Sequence, residues 1–352
     1  MKIAQIAPLY EAVPPKLYGG TERVIANLTD ALVDLGHDVT IFASAETRTK
    51  ARLVSMRERA LRLDPSPLKL DTGTHLSMLY DIRERADEFD VLHFHLDHLH
   101  FPFFESVAQR TVTTLHSRLD FKDMADVYRR WSSYPLVAIS ASQRRQLPFA
   151  NWLATVHHGL PAKAFAFSPR DRGYLVFLGR ISPEKRLDRA IQIAEGAQMP
   201  LKVAAKIDFA DKQYFETTIE PMLSSPVVEF VGEISDREKS EFVGGALALL
   251  FPIDWPEPFG LVMIESMACG TPVIAWDNGA VSEVVEDGVT GFIVNSISEA
   301  IEAVKKIPTI DRRRCRAEFE RRFSATRMAK DYARLYAQLS KPLLSDSLVA
   351  NA

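Results

Sequence analysis

Short apolar runs of strand length alternate along this chain with longer segments in which apolar residues recur every three or four positions. Residues 2–7 form the first run, and a long loop over 8–20 follows, carrying Pro14-Pro15 and ending in Tyr18-Gly19-Gly20. Thr21 is placed to cap a helix with Val24, Ile25, Leu28, Ala31, Leu32 and Leu35 on one face, and Gly36 to end it. Further runs at 38–43, 90–94, 111–116 and 136–140 are separated by helical segments. Such alternation predicts βαβ units and a mostly parallel sheet covered on both faces. The pattern restarts near Gly173. Strands are expected at 174–178, 201–205, 227–231, 246–251, 272–275 and 288–294, a loop at 179–185, and a basic helical region from Ile310 to Leu339.

The fold class read from this pattern is α/β, with two Rossmann-like, doubly wound domains facing a central cleft. The expected boundaries are 1–165 for an N-terminal unit and 166–325 for a C-terminal unit. A helix over 326–340 can cross back to the first unit, and 341–352 reads as a flexible tail. Residues 161–172, rich in proline, alanine and charge, read as the hinge.

With 352 residues there is enough chain for two cores. A formal charge of −3 gives no global attraction to nucleic acid. Two cysteines, Cys269 and Cys315, make neither a disulfide framework nor a metal pattern, and a reducing cytoplasm is the expected compartment. No apolar run is long enough to span a bilayer. Arg312-Arg313-Arg314 and Arg321-Arg322 read first as a solvated helix face, with peripheral contact to an anionic membrane as the alternative.

Residues 254–279, DWPEPFGLVMIESMACGTPVIAWDNG, are the most informative stretch. A proline-broken loop leads into a helix with Leu261, Ile264, Met267 and Ala268 on its apolar face, and Gly270 stands where a left-handed cap wants glycine. Glu257 precedes the helix and Glu265 lies within it. A carboxylate in such apolar surroundings requires a partner, and the expected one is a bound ligand.

Three other stretches carry candidate chemistry. Gly19-Gly20 at a helix start lets phosphate approach backbone amides, although the loop before it lacks the compact glycine turn of a nicotinamide-binding fold. Gly179-Arg180-Ile181-Ser182-Pro183-Glu184-Lys185 follows a strand and opens a helix, so Arg180 and Lys185 can face a diphosphate; a charged helix cap is the plain alternative. His93-Phe94-His95-Leu96-Asp97-His98 fits HxHxDH, the zinc pattern of a metallohydrolase, but that reading leaves the C-terminal half unexplained. Thr114-Leu115-His116 and His157-His158-Gly159 end two more strands.

Taken in order, Gly19-Gly20, Thr114-Leu115-His116, His157-His158-Gly159, Gly179-Arg180 with Lys185, Phe230-Val231-Gly232 and Glu257-Pro-Phe-Gly-Leu-Val-Met-Ile-Glu265 resemble the retaining GT-B glycosyltransferases of family four. The resemblance implies that Glu265 holds the ribose, that Glu257 contacts the donor sugar, and that amides at Phe259, Gly260 and Leu261 touch sugar and phosphate. It implies that Arg180, Lys185 and Gly20 meet the leaving diphosphate, with Gly19 beside it. It places His116 near the reacting carbon, and Gly232, Glu233 and Ile234 at the base. Lys206 stands where the family often has a glycine turn, and His158 where it often has asparagine.

The implied activity is metal-independent transfer of a hexose, with retention, from a nucleoside diphosphate sugar to a hydroxyl acceptor, saccharide or lipid-linked. UDP-glucose is the first donor choice and GDP-mannose the second. The sugar nucleotide is a co-substrate, and neither a cofactor nor nucleic acid is expected. A GT-B phosphorylase, a non-catalytic sugar-nucleotide binder and the zinc hydrolase are the alternatives.

Overall fold

The computed structural model describes residues 1–16 and 19–339, apart from the side chains of residues 236 and 237. Leu17, Tyr18 and the expected tail at 341–352 lie outside them. The first half builds a seven-stranded parallel sheet from β1 (Lys2–Ile6), β2 (Asp38–Ser44), β3 (Arg52–Arg57), β4 (Val91–Phe94), β5 (Thr111–Thr114), β6 (Leu136–Ala138) and β7 (Trp152–Thr155). The second half builds a six-stranded parallel sheet from β8 (Leu175–Ile181), β9 (Leu201–Ile207), β10 (Val228–Gly232), β11 (Ala248–Phe251), β12 (Val273–Trp276) and β13 (Gly291–Val294).

Strand order is β3-β2-β1-β4-β5-β6-β7 in one sheet and β10-β9-β8-β11-β12-β13 in the other. Each order reverses once, between β1 and β4 and between β8 and β11. A parallel sheet opens a crevice at such a reversal, beyond the carboxyl ends of the strands. The loops after β1, β4, β8 and β11 carry Gly19, His95 to Asp97, Lys185 and Glu257. The topology therefore brings four separated stretches to two crevices.

Buried residues on the sheets explain why the elements form. The burial pattern of β4, β5, β6, β11 and β12 is continuous, as expected for strands covered on both faces. Helix Gly20–Asp34 buries Val24, Ile25, Leu28, Ala31 and Leu32. It begins at Gly20 with Gly19 in the cap position and no side-chain cap, so Thr21 is already helical. The reading of 44–89 as helical missed β3, an edge strand whose positions are half exposed and whose alternation is weak. Arg180, expected in a loop, lies inside β8 in register with Lys206 of β9.

The last helix, Ala325–Leu339, leaves the second half and packs on the first sheet. Met328, Ala329, Tyr332 and Tyr336 join Ile3, Val24, Leu28, Val91 and Val112 in one apolar cluster. Two strands of chain thus pass between the halves, and they are bonded side by side: Leu160 N donates to Phe323 O at 2.9 Å and Ala325 N to Leu160 O at 2.9 Å.

The basic helix Arg312–Arg322 is a solvated face only in part: Arg313, Arg314 and Arg321 are exposed, while two other arginines are tied into the fold. Arg312 donates to the carbonyls of Ser168, Ala246 and Gly244, and Arg316 to those of Phe165, Ala268 and Ala162. Carbonyls left over at loops and helix ends need donors, and a guanidinium offers five. The same bonds fasten residues 162–168 to the second half, so most of the stretch expected as a hinge over 161–172 is tied to that half, and the chain crosses at the bridge between Leu160 and Ser324.

Candidate functional site

Helix Leu261–Cys269 is the centre of the second-half wall. Gly260 precedes it at φ 82°, and Gly270 caps its end at φ 83°, both left-handed. A Cβ at Gly260 would meet the movable end of Met263 and the Phe251 ring at 3.2 Å, so the left-handed backbone angle is the main demand for glycine here. Glu265 is 4 % exposed and Glu257 8 %. Both buried glutamates have partners, and the protein itself supplies them. Lys185 forms an ion pair with Glu257, whose Oε2 also accepts from Trp255 Nε1 at 3.1 Å. Lys239 donates to Glu265 at 2.9 Å. The Lys185 ammonium lies 4.9 Å from the centre of the Trp255 ring. The expectation of a bound sugar nucleotide as their partner is corrected: lysines of the chain itself pair these carboxylates, since an unpaired buried charge is costly.

Arg180 is surrounded by acids. Its Nη2 donates to Glu184 at 2.5 Å, and Asp208 and Asp211 lie 3.7 and 3.6 Å away. Lys206 pairs with Asp208 at 2.7 Å. Gly232 ends β10 at φ 75°, followed by exposed Glu233 and half-buried Ile234. These three stand at the end of an edge strand, two strands from Arg180.

Across the cleft, Gly20 starts its helix opposite Leu261: a Cβ there would lie 3.4 Å from Leu261 Cδ1. Two helix N-termini, each with unpaired amides and a positive dipole end, therefore approach one another. Phe259, which leads into the helix, is buried with its ring 4.9 Å from His158, and His158 stacks on His116 at 5.4 Å.

The first-half wall is a neutral hydrogen-bonded relay. Gln5 Oε1 accepts from His95 Nε2 at 2.8 Å, so neutral His95 accepts at Nδ1 from His116 Nε2, also at 2.8 Å. That direction leaves His116 Nδ1 as a bare acceptor, buried and without a partner. Gln5 Nε2 donates to the Tyr336 hydroxyl, which meets His93 Nδ1 at 2.7 Å. His93 Nε2 meets Thr114 Oγ1, which also bonds the Tyr332 hydroxyl, both at 2.7 Å. Burial holds His93, His95 and His158 well below the ordinary imidazole range and His116 down to about 3. Both ring nitrogens of His93 and of His95 are thus engaged by protein groups. Among the described residues no cluster of three or more His, Cys, Asp or Glu is arranged for a metal.

Several contributors escaped the sequence reading. Lys239 sits on helix Asp236–Gly244, with no local signal pointing to Glu265. Gly279, at φ 64°, presses its Cα face against the Glu257 backbone, and Ala280 N donates to Glu257 O at 2.9 Å. Glu283 reaches across the halves to the amides of Ala141 and Ser142, both at 2.7 Å, and to His157 at 3.2 Å. The Asp277-Asn278-Gly279 turn signal was legible; the cross-domain partners were not.

Two doubly wound sheets with their switch points facing one another, and a last helix returning to the first, are the GT-B architecture. Residues 18–185 match the family model described as Glycosyltransferase Family 4, and residues 162–322 match the one described as Glycosyl transferases group 1. A phosphatidyl-myo-inositol mannosyltransferase of Mycolicibacterium smegmatis is 25% identical over 322 residues, 84% of this chain and 81% of that protein. A GDP-mannose-dependent alpha-(1-6)-phosphatidylinositol dimannoside mannosyltransferase of Mycobacterium tuberculosis is 33% identical over 147 residues, 40% of this chain and 38% of that protein. The Anabaena protein HepE, solved with UDP and glucose, superposes with a TM-score of 0.73 at 18% identity, covering 96% of this chain and 100% of that one. The chain belongs to the group 1, family 4 glycosyltransferases.

Proposed function

We propose that the protein transfers a hexose, with retention of configuration, from a nucleoside diphosphate sugar to a hydroxyl acceptor. The observation that carries this is the pair of lysine-neutralised glutamates, Lys185–Glu257 and Lys239–Glu265, flanking one helix N-terminus at the switch point. Glu265 lies deeper in the helix, where it takes the ribose hydroxyls. Glu257 takes donor-sugar hydroxyls. A diphosphate arriving between them competes with the carboxylates for Lys185 and Arg180, and charge-assisted bonds to it contribute about 1.5–3 kcal/mol each. The amides of Gly20 and of Phe259 to Leu261 add the smaller helix-end contribution, about 0.3–1 kcal/mol. The bare His116 Nδ1 accepts from a donor hydroxyl near the reacting carbon.

In this reading the leaving diphosphate helps to take the acceptor proton on the same face, and no side chain becomes a covalent nucleophile. The protein stabilises charge and positions both substrates as the halves close about Leu160 and Ser324. The Lys185, Arg180 and helix-end charges make divalent metal dispensable. The relatives divide on the donor: two transfer mannose and one holds UDP and glucose. UDP-glucose remains the first choice and GDP-mannose the second. Among the described residues no helix is long and apolar enough to cross a membrane, and Cys269 and Cys315 are buried free thiols, which supports a cytoplasmic enzyme.

The test is a thermal-shift series with UDP, GDP, UDP-glucose and GDP-mannose, followed by donor hydrolysis with and without EDTA. A ligand of the native state raises the melting temperature. The reading predicts a shift with one nucleotide family and hydrolysis that survives EDTA; no shift with any of the four would overturn it.

A further inference from the structure

Glu283 is a carboxylate of the second half held by groups of the first. It stands on helix Val281–Val284, whose Val281 and Val284 are buried in the second-half core. Its Oε2 accepts from Ala141 N and its Oε1 from Ser142 N, both at 2.7 Å. His157 Nε2 lies 3.2 Å from Oε2. Burial alone would raise the Glu283 pKa, but the bonds from His157, Ala141 and Ser142 outweigh it and hold the carboxyl below its ordinary range. A charged acceptor shared by two successive amides is a strong and directional contact. The halves are otherwise joined in sequence by the paired chain at Leu160 and Ser324. A crossing of that kind permits rotation, and a charged clasp beside it fixes the angle.

Each end of the clasp continues to a residue of the donor site. On the second-half side, Ala280 N donates to Glu257 O at 2.9 Å. Gly279 packs against the same backbone so closely that a Cβ on it would overlap Glu257 O. Arg322 donates to the Glu283 carbonyl, which ties this short helix to the chain just before it crosses at Ser324. On the first-half side, Gln143 follows Ser142 and is fully buried. Its Nε2 donates to Leu115 O at 2.9 Å and to Ser117 O at 2.8 Å, the carbonyls on either side of His116. Its Oε1 accepts from Ile139 N at 2.9 Å, so both ends of the side-chain amide are held. His158, next to His157, stacks on the His116 ring. Hydrogen bonds and adjacent residues thus run from Glu257 on one wall, through Glu283, to His116 on the other.

We propose that Glu283 is a positioning residue, whose clasp on Ala141 and Ser142 sets Glu257 and His116 in register on opposite sides of the donor. This rests on the glycosyltransferase reading and specifies how its site is aligned. Glu283 acts through Glu257 and His116 and meets neither substrate itself.

The test breaks the clasp from each side. Glu283→Gln keeps the shape and removes the charge and one acceptor. Ala141→Pro removes one donor: Ala141 opens helix Ala141–Gln146, where proline is tolerated, and Ser140 before it is extended at φ −155°, ψ 160°, as a residue before proline must be. Wild type, both single variants and the double variant are spin-labelled at Ser77→Cys and Gln192→Cys, exposed helix positions on opposite halves. Nucleotide-free wild type should give one narrow distance, and each single variant a broader distribution. On the unlabelled proteins, kcat for hydrolysis of UDP-glucose or GDP-mannose should fall at least ~10-fold in each single variant, while UDP or GDP affinity stays within ~3-fold of wild type. The double variant should lose no more than the worse single one, since both changes break one contact. Unchanged distances or unchanged kcat in both single variants, losses that multiply in the double, or kcat and nucleotide affinity falling together would overturn the assignment. A wild type that neither binds nor hydrolyses either donor would overturn the glycosyltransferase reading and this alignment with it, a failure that the label distances tell apart from a failure of the clasp.

Discussion

The two walls of the cleft are built from opposite kinds of polar chemistry. The second-half wall is charged and paired: Lys185 with Glu257, Lys239 with Glu265, Arg180 among Glu184, Asp208 and Asp211. The first-half wall is neutral: imidazoles held well below their ordinary range, bonded to tyrosine, threonine and glutamine. A charged ligand such as a diphosphate can exchange one anion for another on the first of these walls without leaving a lysine unpaired. A wall of neutral donors and acceptors suits hydroxyls. The difference separates the expected work of the halves more sharply than their shared fold does.

Breaking the charged wall has the largest expected effect. Lys185→Ala removes a cation from the diphosphate and leaves Glu257 buried with only Trp255 as a partner. Donor turnover should fall ~10²–10³-fold, the scale of losing one donor to developing charge. Stability should fall by about 3 kcal/mol, the low end for breaking a buried pair. Steady-state kinetics and urea melts check both. Turnover within a factor of two of wild type would separate Lys185 from the chemistry.

Acid should break the other wall. His93, His95, His116 and His158 have folded pKa values below the ordinary imidazole value, so as pH falls the unfolded chain takes up protons first. Stability is therefore full above about pH 6.5 and declines below it, by up to about 1.4 kcal/mol per pH unit for each imidazole. For His116 the decline continues towards about 3. Hydrogen exchange at pH 7 and pH 5 should show protection lost in β1, β4 and β5 before β8, β11 and β12. Equal loss in both sheets would contradict the contrast.

Gly279→Ala tests the support behind Glu257. The new Cβ meets the Glu257 backbone, and φ 64° disfavours any side chain. A loss of about 1–3 kcal/mol is expected, with kcat reduced while UDP and GDP affinity stay near wild type. The smallest effect belongs to Arg313→Ala: its side chain is exposed, and among the described residues neither a side-chain hydrogen bond nor an ion pair ties it down as those of Arg312 and Arg316 do. Stability should change by less than about 0.5 kcal/mol, against a clear loss for Arg312→Ala.

The alternation of periods made both sheets legible, because a parallel sheet covered on two faces leaves continuous apolar runs. Glu257, Glu265 and Gly270 were legible because loop, helix and cap fall within one short unit. Lys239 was not: it lies on a different helix, 26 residues from Glu265. The relay was less legible still, since Tyr332 meets Thr114 across 218 residues of chain and Tyr336 meets His93 across 243. Histidines that suggested zinc in the sequence became hydrogen-bonding partners once the last helix folded over them. Arg312 and Arg316 misled in the same way, because free carbonyls cannot be seen in a string of side chains.

Titration calorimetry of UDP and GDP into wild-type and Lys185→Ala proteins tests the role of the charged wall most directly. One nucleotide should bind wild type, and Lys185→Ala at least ~10-fold more weakly, a difference of about 1.4 kcal/mol. Undiminished binding by Lys185→Ala, or no binding of either nucleotide by wild type, would contradict it.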